Sequence, residues 1–217
     1  MSTIQQLFIG AIQPLPPDGQ PSGIFKARVS GPVYLDFEGL AGDAQADRRY
    51  HGGREKALHQ YAAQNYPRLA TMLDAPSLAL QPGCLGENVS SDAWDEQSVC
   101  IGDVFAMGGA RVQVSQPRSP CWKINRRLGV EGASKAISQA RITGWYYRVL
   151  ACGMLTGGAP IELLQRAPHP VSIDHFLLLV NTHRPALDDF VCLLDMPGLA
   201  ADWQCRINQR FEWLRGL

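Results

Sequence analysis

The stretch that decides the fold runs from Ala110 to Ile124 and reads ARVQVSQPRSPCWKI. Its first five residues alternate apolar and polar side chains, which is typical of a β-strand with one buried face. Pro117 and Pro120 then restrict their own backbone and favour extended conformations for the residues that precede them. The sequence therefore predicts a strand that leads into a stiff loop, and this loop presents the thiol of Cys121.

Four basic residues surround that thiol in the sequence: Arg118, Lys123, Arg126 and Arg127. Neighbouring cations favour the thiolate, which is both the nucleophilic and the metal-binding form of cysteine. We therefore predict a functional role for Cys121, whereas a lone cysteine is more often a small buried apolar residue.

Two roles for this thiolate are open from the residues alone. A nucleophile would need a histidine base, for which His51 and His59 are candidates. A conventional metal site would need three or four clustered protein ligands, and the five histidines are dispersed along the chain. A metal bound by Cys121 would therefore have to arrive already held by an organic chelator, with the protein adding one sulfur.

Composition excludes several classes of protein. The 217 residues carry 20 basic and 20 acidic side chains, so the net charge is zero, which argues against binding to a nucleic acid polymer or an anionic membrane. No signal peptide or membrane-spanning stretch is predicted. The six cysteines are single and form no C-x-x-C pair, as expected for reduced thiols in a cytoplasmic protein.

The pattern of elements predicts a mainly β protein with some helix. Many short strands separated by glycines favour a closed or nearly closed β-barrel. The predicted strands are 6–13, 24–29, 33–37, 85–90, 99–101, 103–107, 110–114, 144–150 and 161–164, with 14–21 as an irregular turn-rich segment. Helices are predicted at 54–66, where Pro67 would end the helix, and at 133–140.

The end of the chain has a different pattern. Three helices are predicted at 172–182, 185–194 and 200–214, after a proline-containing boundary at 166–170. The predicted organisation is therefore a β-barrel domain at 1–167 followed by a small three-helix domain at 168–217.

A candidate anion site precedes the predicted helix at 54–66. His51-Gly52-Gly53 would place free backbone N–H groups at the start of that helix, and Arg49 would add positive charge. The alternative is an ordinary loop that needs glycine for its backbone conformation.

Two weaker candidates are single polar residues. Asn88, in Gly86-Glu87-Asn88, could bind the edge of a heterocycle or hold a turn. Lys26 lies in a predicted strand, where it would be solvated on an outer face or would bind phosphate at a barrel mouth. No Walker or dinucleotide-binding motif is present to supply a nucleotide or flavin cofactor.

Together these motifs resemble the MOSC-domain family, and most closely its YiiM-like branch. The resemblance rests on motifs that span residues 22 to 165: Gly42-Asp43, His51-Gly52-Gly53, Gly86-Glu87-Asn88-Val89, Gly102-Asp103, Ser115-Gln116-Pro117-Arg118-x-Pro120-Cys121 and Gly144-Trp145-Tyr146. It implies a MOSC-type β-barrel that binds the molybdenum cofactor, a pterin whose dithiolene holds molybdenum and whose tail is a phosphate. The helical end of the chain is similar to the three-helix domain of the YiiM-like proteins.

Roles for the site residues follow from the same resemblance. Cys121 would be the metal ligand. The residues implied around the pterin and its phosphate are Lys26, Arg49, His51, Gly52 and Gly53, and those implied on the metal side are Asn88, Ser115 and Arg118.

The implied activity is the reduction of N-hydroxylated compounds, including hydroxylaminopurine-like bases, to the amines. Electrons would come from a separate flavoprotein or similar redox protein, and His51 or Arg118 would donate a proton or polarise the leaving oxygen. Two alternatives use Cys121 differently, as the site of a persulfide in a sulfur carrier or as the anchor of a non-catalytic cofactor carrier. A homodimer remains one option for the assembly.

Overall fold

The computed structural model describes residues 2–74 and 80–216. Strands dominate the first three quarters of the chain and helices the last, so the mainly β class with added helices is confirmed. The strands are β1 (Ser2–Thr3), β2 (Gln6–Ile9), β3 (Gln13–Leu15), β4 (Gln20–Ser22), β5 (Ala27–Arg28), β6 (Val33–Asp36), β7 (Gly39–Leu40), β8 (Leu58–Ala62), β9 (Val89–Ser91), β10 (Val104–Met107), β11 (Ala110–Pro117), β12 (Trp145–Ala151), β13 (Gly153–Leu155) and β14 (Pro160–Gln165). The helices are α1 (Arg48–His51), α2 (Asn65–Leu73), α3 (Lys123–Leu128), α4 (Ala133–Gln139), α5 (Ile173–Asn181), α6 (Leu187–Val191) and α7 (Ala201–Arg215), with a 3-10 turn at Arg54–Lys56.

One large sheet forms the body of the molecule. Its nine strands follow the order β1-β14-β10-β11-β12-β8-β9-β2-β5, and β8 and β9 form its parallel pair. The hairpin of β10 and β11 turns at Gly108-Gly109, as the sequence predicts, with Met107 opposite Ala110. Gly108 has a φ of 53°, a backbone conformation that glycine adopts at little cost.

The sheet curls so that its two ends approach each other. No described strand pair joins the edge strands β1 and β5, so the ladder itself is open. Two consecutive residues nevertheless bind opposite ends of it: the N–H of Ile4 donates to Ala159 O, and the N–H of Gln5 donates to Ser90 O, each at 2.9 Å. The N-terminal segment therefore bridges the ends of a barrel-like sheet.

The concave side of the sheet is filled by large apolar side chains. Phe105, Val112, Val114, Trp145 and Tyr147 are each 0% exposed and belong to one apolar cluster. The alternation in 110–114 is confirmed, because Val112 and Val114 point into this core. Burial of this kind is the main source of the stability of the sheet.

The prediction of a helix at 54–66 is wrong. The chain makes only a 3-10 turn there and then enters strand β8, whose five residues are all buried. Both faces of β8 are covered, so its apolar residues show no alternation and their spacing imitates a helix. The helix comes later, as α2, and Pro67 lies in its first turn, where a backbone N–H would have no helical partner.

Three smaller predictions also differ from the structure. The segment 14–21 is not irregular, because β3 and β4 pair there as a short hairpin. The strand predicted at 24–29 is reduced to β5, and that at 99–101 to a single bridge between Cys100 and Ser172. Local composition does not reveal which short segments find a partner strand.

The three predicted C-terminal helices are present as α5, α6 and α7. Helix α5 begins at Ser172, whose side chain accepts a hydrogen bond from the N–H of His175 at 3.1 Å. Phe176, Phe190 and Ile207 are at most 1% exposed and pack in the same apolar cluster as the sheet. The division of the chain at residue 167 stays a prediction. No helix in the described ranges is long and apolar enough to cross a bilayer.

Candidate active site

Five of the nine predicted site residues meet in one cleft at the end of the sheet. They are Lys26, His51, Asn88, Arg118 and Cys121. They come from four separate segments of the chain, since Arg118 and Cys121 share the cysteine loop, and the fold brings these segments together. The other four, Arg49, Gly52, Gly53 and Ser115, do not line this cleft.

Cys121 occupies the loop between β11 and α3. It is partly exposed, and it lines both the first cleft and a second cleft beside it. The loop is held in place because Cys121 O accepts a hydrogen bond from the N–H of Ile124 at 3.0 Å and Lys123 Nζ donates to Pro21 O at 2.9 Å. The predicted presentation of a single thiol by a fixed loop agrees with this geometry.

Arg118 is a buried cation. Its residue is 6% exposed, and Nη2 donates to Leu85 O at 3.1 Å. Nη1 is also buried and has no hydrogen-bond partner, and no ion pair of Arg118 occurs within residues 2–74 and 80–216. A buried guanidinium with an unbonded N–H and no direct ion pair is costly, so this one is a candidate position for an anionic ligand.

Lys26 is also buried, but it has a partner. Its Nζ lies 2.6 Å from both carboxylate oxygens of Asp43, and the two side chains are 6% and 2% exposed. Burial lowers the pKa of Lys26, and Asp43 opposes that effect. Because its charge is already compensated, Lys26 is a weaker phosphate ligand than its position in a cleft suggests.

Asn88 forms hydrogen bonds to Asp43 and to the backbone of two strands. Its Oδ1 accepts from the N–H of His59 at 3.1 Å, and its Nδ2 donates to Asp43 Oδ2 at 3.0 Å and to Phe8 O at 3.3 Å. Most of its hydrogen-bonding capacity is therefore used within the protein. In this arrangement Asn88 holds β8, β2 and Asp43 together at the base of the cleft.

Two histidines face the cleft. Burial lowers the pKa of His51, and the nearby charges of Arg118, Lys123 and Lys56 lower it further. Burial lowers the pKa of His59 still more strongly, and its Nε2 has no hydrogen-bond partner among the described residues. Both imidazoles are therefore neutral near pH 7, and each can accept a hydrogen bond from a ligand.

The lowered pKa of His51 predicts a pH dependence of stability. Below its ordinary pKa of 6.5 the unfolded chain binds a proton at this imidazole that folded His51 does not bind. The free energy of unfolding should therefore fall as the pH drops through about 6.5, since the unfolded state binds more protons there. We expect His51→Asn to flatten this part of the curve, as measured by urea unfolding at several pH values.

The variant separates His51 from other titrating groups. The lowered pKa of His59 also makes the free energy of unfolding fall as the pH drops. Burial raises the pKa of Glu87 and Glu96, and their protonation makes the free energy of unfolding rise as the pH drops. All three are present in both proteins, so they cancel in the comparison. Parallel curves for the parent and His51→Asn would show that the protonation of His51 does not change on folding.

The predicted anion site at His51-Gly52-Gly53 is not built as expected. The motif joins the four-residue helix α1 to the 3-10 turn at Arg54–Lys56, so no long helix starts there. Gly53 has a φ of 85°, which explains the need for glycine at this position. Arg49 points away, with a side chain that is 82% exposed and paired with Asp47 at 3.0 Å.

Ser115 links strands rather than facing the cleft. It is 0% exposed, and its Oγ lies 2.6 Å from Glu55 O and 3.1 Å from Tyr146 O. A hydroxyl has one proton to donate, and the nearer carbonyl is its natural acceptor. Ser115 therefore fixes the 3-10 turn against β11 and β12.

The described residues contain no group of three or more His, Cys, Asp or Glu side chains arranged to hold a metal ion. In the cleft, Cys121 supplies a sulfur, His51 and His59 supply imidazole nitrogens, and the remaining charged groups are mainly cationic. The cleft can therefore bind an anion through its cations and offer one thiol to that anion's reactive centre.

Comparison with known proteins places this geometry in a family. The model of the MOSC domain matches residues 47–162, which is more than half of the chain and includes α1, the cysteine loop and β12. The chain belongs to the MOSC family. Protein YiiM of Escherichia coli strain K12 is 35% identical over 212 residues, which cover 94% of this chain and 90% of that protein.

One further relative and one solved structure are informative about this MOSC protein. A protein named "Reductase" from Gibberella moniliformis is 36% identical over 150 residues, which cover 69% of this chain but only 26% of that longer protein. The crystal structure of YiiM from Escherichia coli superposes with a TM-score of 0.82 at 27% identity, covering 100% of this chain and 94% of that one. The similarity to YiiM therefore includes the C-terminal helices.

The structure of this MOSC protein adds cleft residues that the sequence did not reveal as site residues. Asp43, Lys56, Lys123 and Tyr146 line the first cleft, and so does His59, which the sequence offered only as a base for a nucleophilic Cys121. Lys56 and Lys123 are basic residues close to predicted motifs, and that charge is a usable signal. Asp43 is part of the Gly42-Asp43 motif, but its pairing with Lys26 depends on the fold and has no local signature.

Proposed function

We propose that this MOSC protein binds the molybdenum cofactor and reduces N-hydroxylated compounds to the corresponding amines, with electrons from a separate redox protein. The observation that carries the proposal is the meeting of Cys121 with the buried, incompletely bonded guanidinium of Arg118 in one cationic cleft. Family membership and the "Reductase" relative support the same assignment.

The cleft fits a cofactor that is a phosphorylated pterin with a chelated metal. Arg118 Nη1 and His59 Nε2 are buried polar atoms without partners among the described residues, as expected where a polar ligand completes the site. Arg118, Lys56 and Lys123 would face anionic groups of the cofactor, with Arg118 on the side of the metal. Cys121 would give its sulfur to molybdenum, a soft ligand of the type such a metal accepts.

The balance of the reaction defines what the protein must supply. R–NH–OH takes up two electrons and two protons, the N–O bond breaks, and R–NH2 and water are released. The bound cofactor would supply the electrons. The chain must exclude bulk water, hold the substrate and deliver protons near the departing hydroxyl.

Side-chain chemistry suggests different roles for the two predicted proton donors. A guanidinium is a fixed cation, so Arg118 would stabilise negative charge on the leaving oxygen and would not deliver a proton. Burial and nearby cations lower the pKa of His51, so the imidazole is neutral near pH 7 and gives up a proton readily once it has acquired one. We therefore assign charge stabilisation to Arg118 and proton transfer to His51.

Metal and pterin analysis of protein made in a host that synthesises the molybdenum cofactor tests the first half of the proposal. One protein sulfur per site leads us to expect about one molybdenum and one pterin per chain. The same preparation, given a chemical reductant, should convert 6-hydroxylaminopurine to adenine. Protein without pterin but with cyanide-labile sulfur on Cys121 would instead identify a persulfide carrier, and bound pterin without any turnover would identify a carrier of the cofactor.

A further inference from the structure

A second cleft opens beside the first and shares Cys121 with it. One wall is the cysteine loop with Trp122, a second is formed by Tyr50, and the third is the beginning of helix α7 with Asp202 and Arg206. We call it the α7 cleft. Its residues come from both ends of the chain, so the C-terminal helices contribute directly to the surroundings of the thiol.

Helix α7 is held firmly at this wall. The N–H of Ala200 donates to Ser115 O at 2.9 Å, which joins the start of α7 to the strand that leads to Cys121. Trp203 also lines the cleft and packs edge-on against Phe176, with ring centroids 5.1 Å apart. Ile207, one turn later, is 1% exposed. The first turns of α7 therefore have a fixed position relative to the thiol.

Two large aromatic rings are exposed around this cleft. Trp122 is 44% exposed and Tyr50 is 68% exposed, although rings of this size are usually buried in a folded protein. Exposed aromatic rings beside a functional cleft are typical of surfaces that stack on planar ligands. Trp122 directly follows Cys121, so a ring stacked on it would lie close to the thiol.

The α7 cleft also contains an available carboxylate. Two acidic residues line it, Asp47 and Asp202, and Asp47 is already bound by Arg49 at 3.0 Å. Asp202 is exposed and forms no ion pair in the part of the chain that the structure describes. An unpaired carboxylate on a cleft wall is a hydrogen-bond acceptor for N–H groups, such as those on the edge of a nitrogen heterocycle.

We propose that the α7 cleft is the substrate site and selects planar N-hydroxylated nitrogen heterocycles over small aliphatic hydroxylamines. Trp122 stacks on the ring, Asp202 accepts hydrogen bonds from N–H groups on its edge, and the hydroxylamino group points towards Cys121. This inference rests on the proposed function for its chemistry. Trp122 and Asp202 act as positioning residues, and α7 supplies part of the specificity.

The test compares two activities and one binding constant in cofactor-loaded protein. Loss of one base-stacking surface should lower the ratio of kcat/KM for 6-hydroxylaminopurine to that for N-methylhydroxylamine roughly tenfold in Trp122→Ala. Trp122→Phe should restore most of that ratio. The Kd for adenine, measured by calorimetry without turnover, should rise roughly tenfold in Trp122→Ala and also in Asp202→Asn.

Helix α7 offers matched controls outside the cleft. Trp213 is 48% exposed near the end of α7, and Glu212 pairs there with Arg215. Trp213→Ala and Glu212→Gln should leave the ratio and the Kd at the parent values. An equal loss of kcat/KM for both substrates in Trp122→Ala would overturn the inference. An unchanged Kd for adenine in Trp122→Ala and Asp202→Asn would overturn it as well.

The adenine titration also separates this inference from the proposed function. Adenine binding that depends on Trp122 and Asp202, in a protein that reduces neither hydroxylamine, supports the α7 cleft and overturns only the reductase. Reduction of both substrates with a ratio that Trp122→Ala does not change supports the reductase and overturns the cleft.

Discussion

Replacement of Cys121 by alanine is expected to lower hydroxylamine reduction by well over 100-fold and to leave the sheet folded. Loss of outer groups around a metal commonly costs about 10- to 100-fold, and Cys121 is proposed as a direct ligand, so its loss should cost more. The thiol is partly exposed in a loop and belongs to neither of the two apolar clusters of the described residues. Molybdenum content, pterin content and turnover should be measured on the same preparation, with circular dichroism as the check on folding.

The chain provides its own controls for this experiment. Cys192 and Cys205 are exposed thiols on the C-terminal helical segment and do not line either cleft. Cys192→Ala and Cys205→Ala should therefore retain parent levels of metal and turnover. A Cys121→Ala protein that keeps both molybdenum and full activity would contradict the proposed role of the thiol.

Replacement of Arg118 by methionine is expected to have opposite effects on folding and on binding. The cofactor-free protein should become more stable by up to about 1 kcal/mol, because removal of the unpartnered Nη1 donor outweighs loss of the bond from Nη2 to Leu85 O and Met fills a similar space. Binding of phosphorylated ligands should be lost at the same time. Pyrophosphate should raise the Tm of the cofactor-free parent protein, as expected for a ligand of the folded state alone, and should not raise that of Arg118→Met.

Arg166→Met is a control in which the change in stability should have the opposite sign. It is paired with Asp103 at 2.6 Å, and the Asp103 side chain is 0% exposed. Arg166→Met would leave that carboxylate buried without its counter-charge, so this variant should be less stable than the parent. If Arg118→Met destabilises the cofactor-free protein as Arg166→Met does, Arg118 stabilises the fold and is not part of an unfilled anion site.

The parts of the fold that were predictable carried strong local signals. Alternation at 110–114 and the prolines after it identified β11 and the cysteine loop, and Gly108-Gly109 identified the hairpin. Strand β8 gave the wrong signal because it is buried on both faces and its apolar residues Leu58, Tyr61 and Ala62 recur at helical spacing. Its true state depends on β9 and β12 on either side, which a local pattern cannot include.

The candidate site was also predictable where residue types gave a local signal, and unpredictable where contacts depend on the fold. The residue types of Cys121, Arg118 and His51 gave usable signals, and the fold does bring them into one cleft. Lys26 was predicted to meet phosphate, yet it meets Asp43, 17 residues along the chain. The contribution of α7 to the second cleft was equally hidden, because Asp202 follows Cys121 by about 80 residues and only tertiary packing unites them.

The hydrogen bonds of Ile4 and Gln5 have a consequence for the order of folding during synthesis. Gln5 binds Ser90 and can do so once residue 90 has been synthesised, whereas Ile4 binds Ala159, which is synthesised much later. Strand β1 likewise pairs with β14 at residues 160 and 161. Contacts of such long sequence separation form slowly, so β1 and the edge of β14 should pair late in folding.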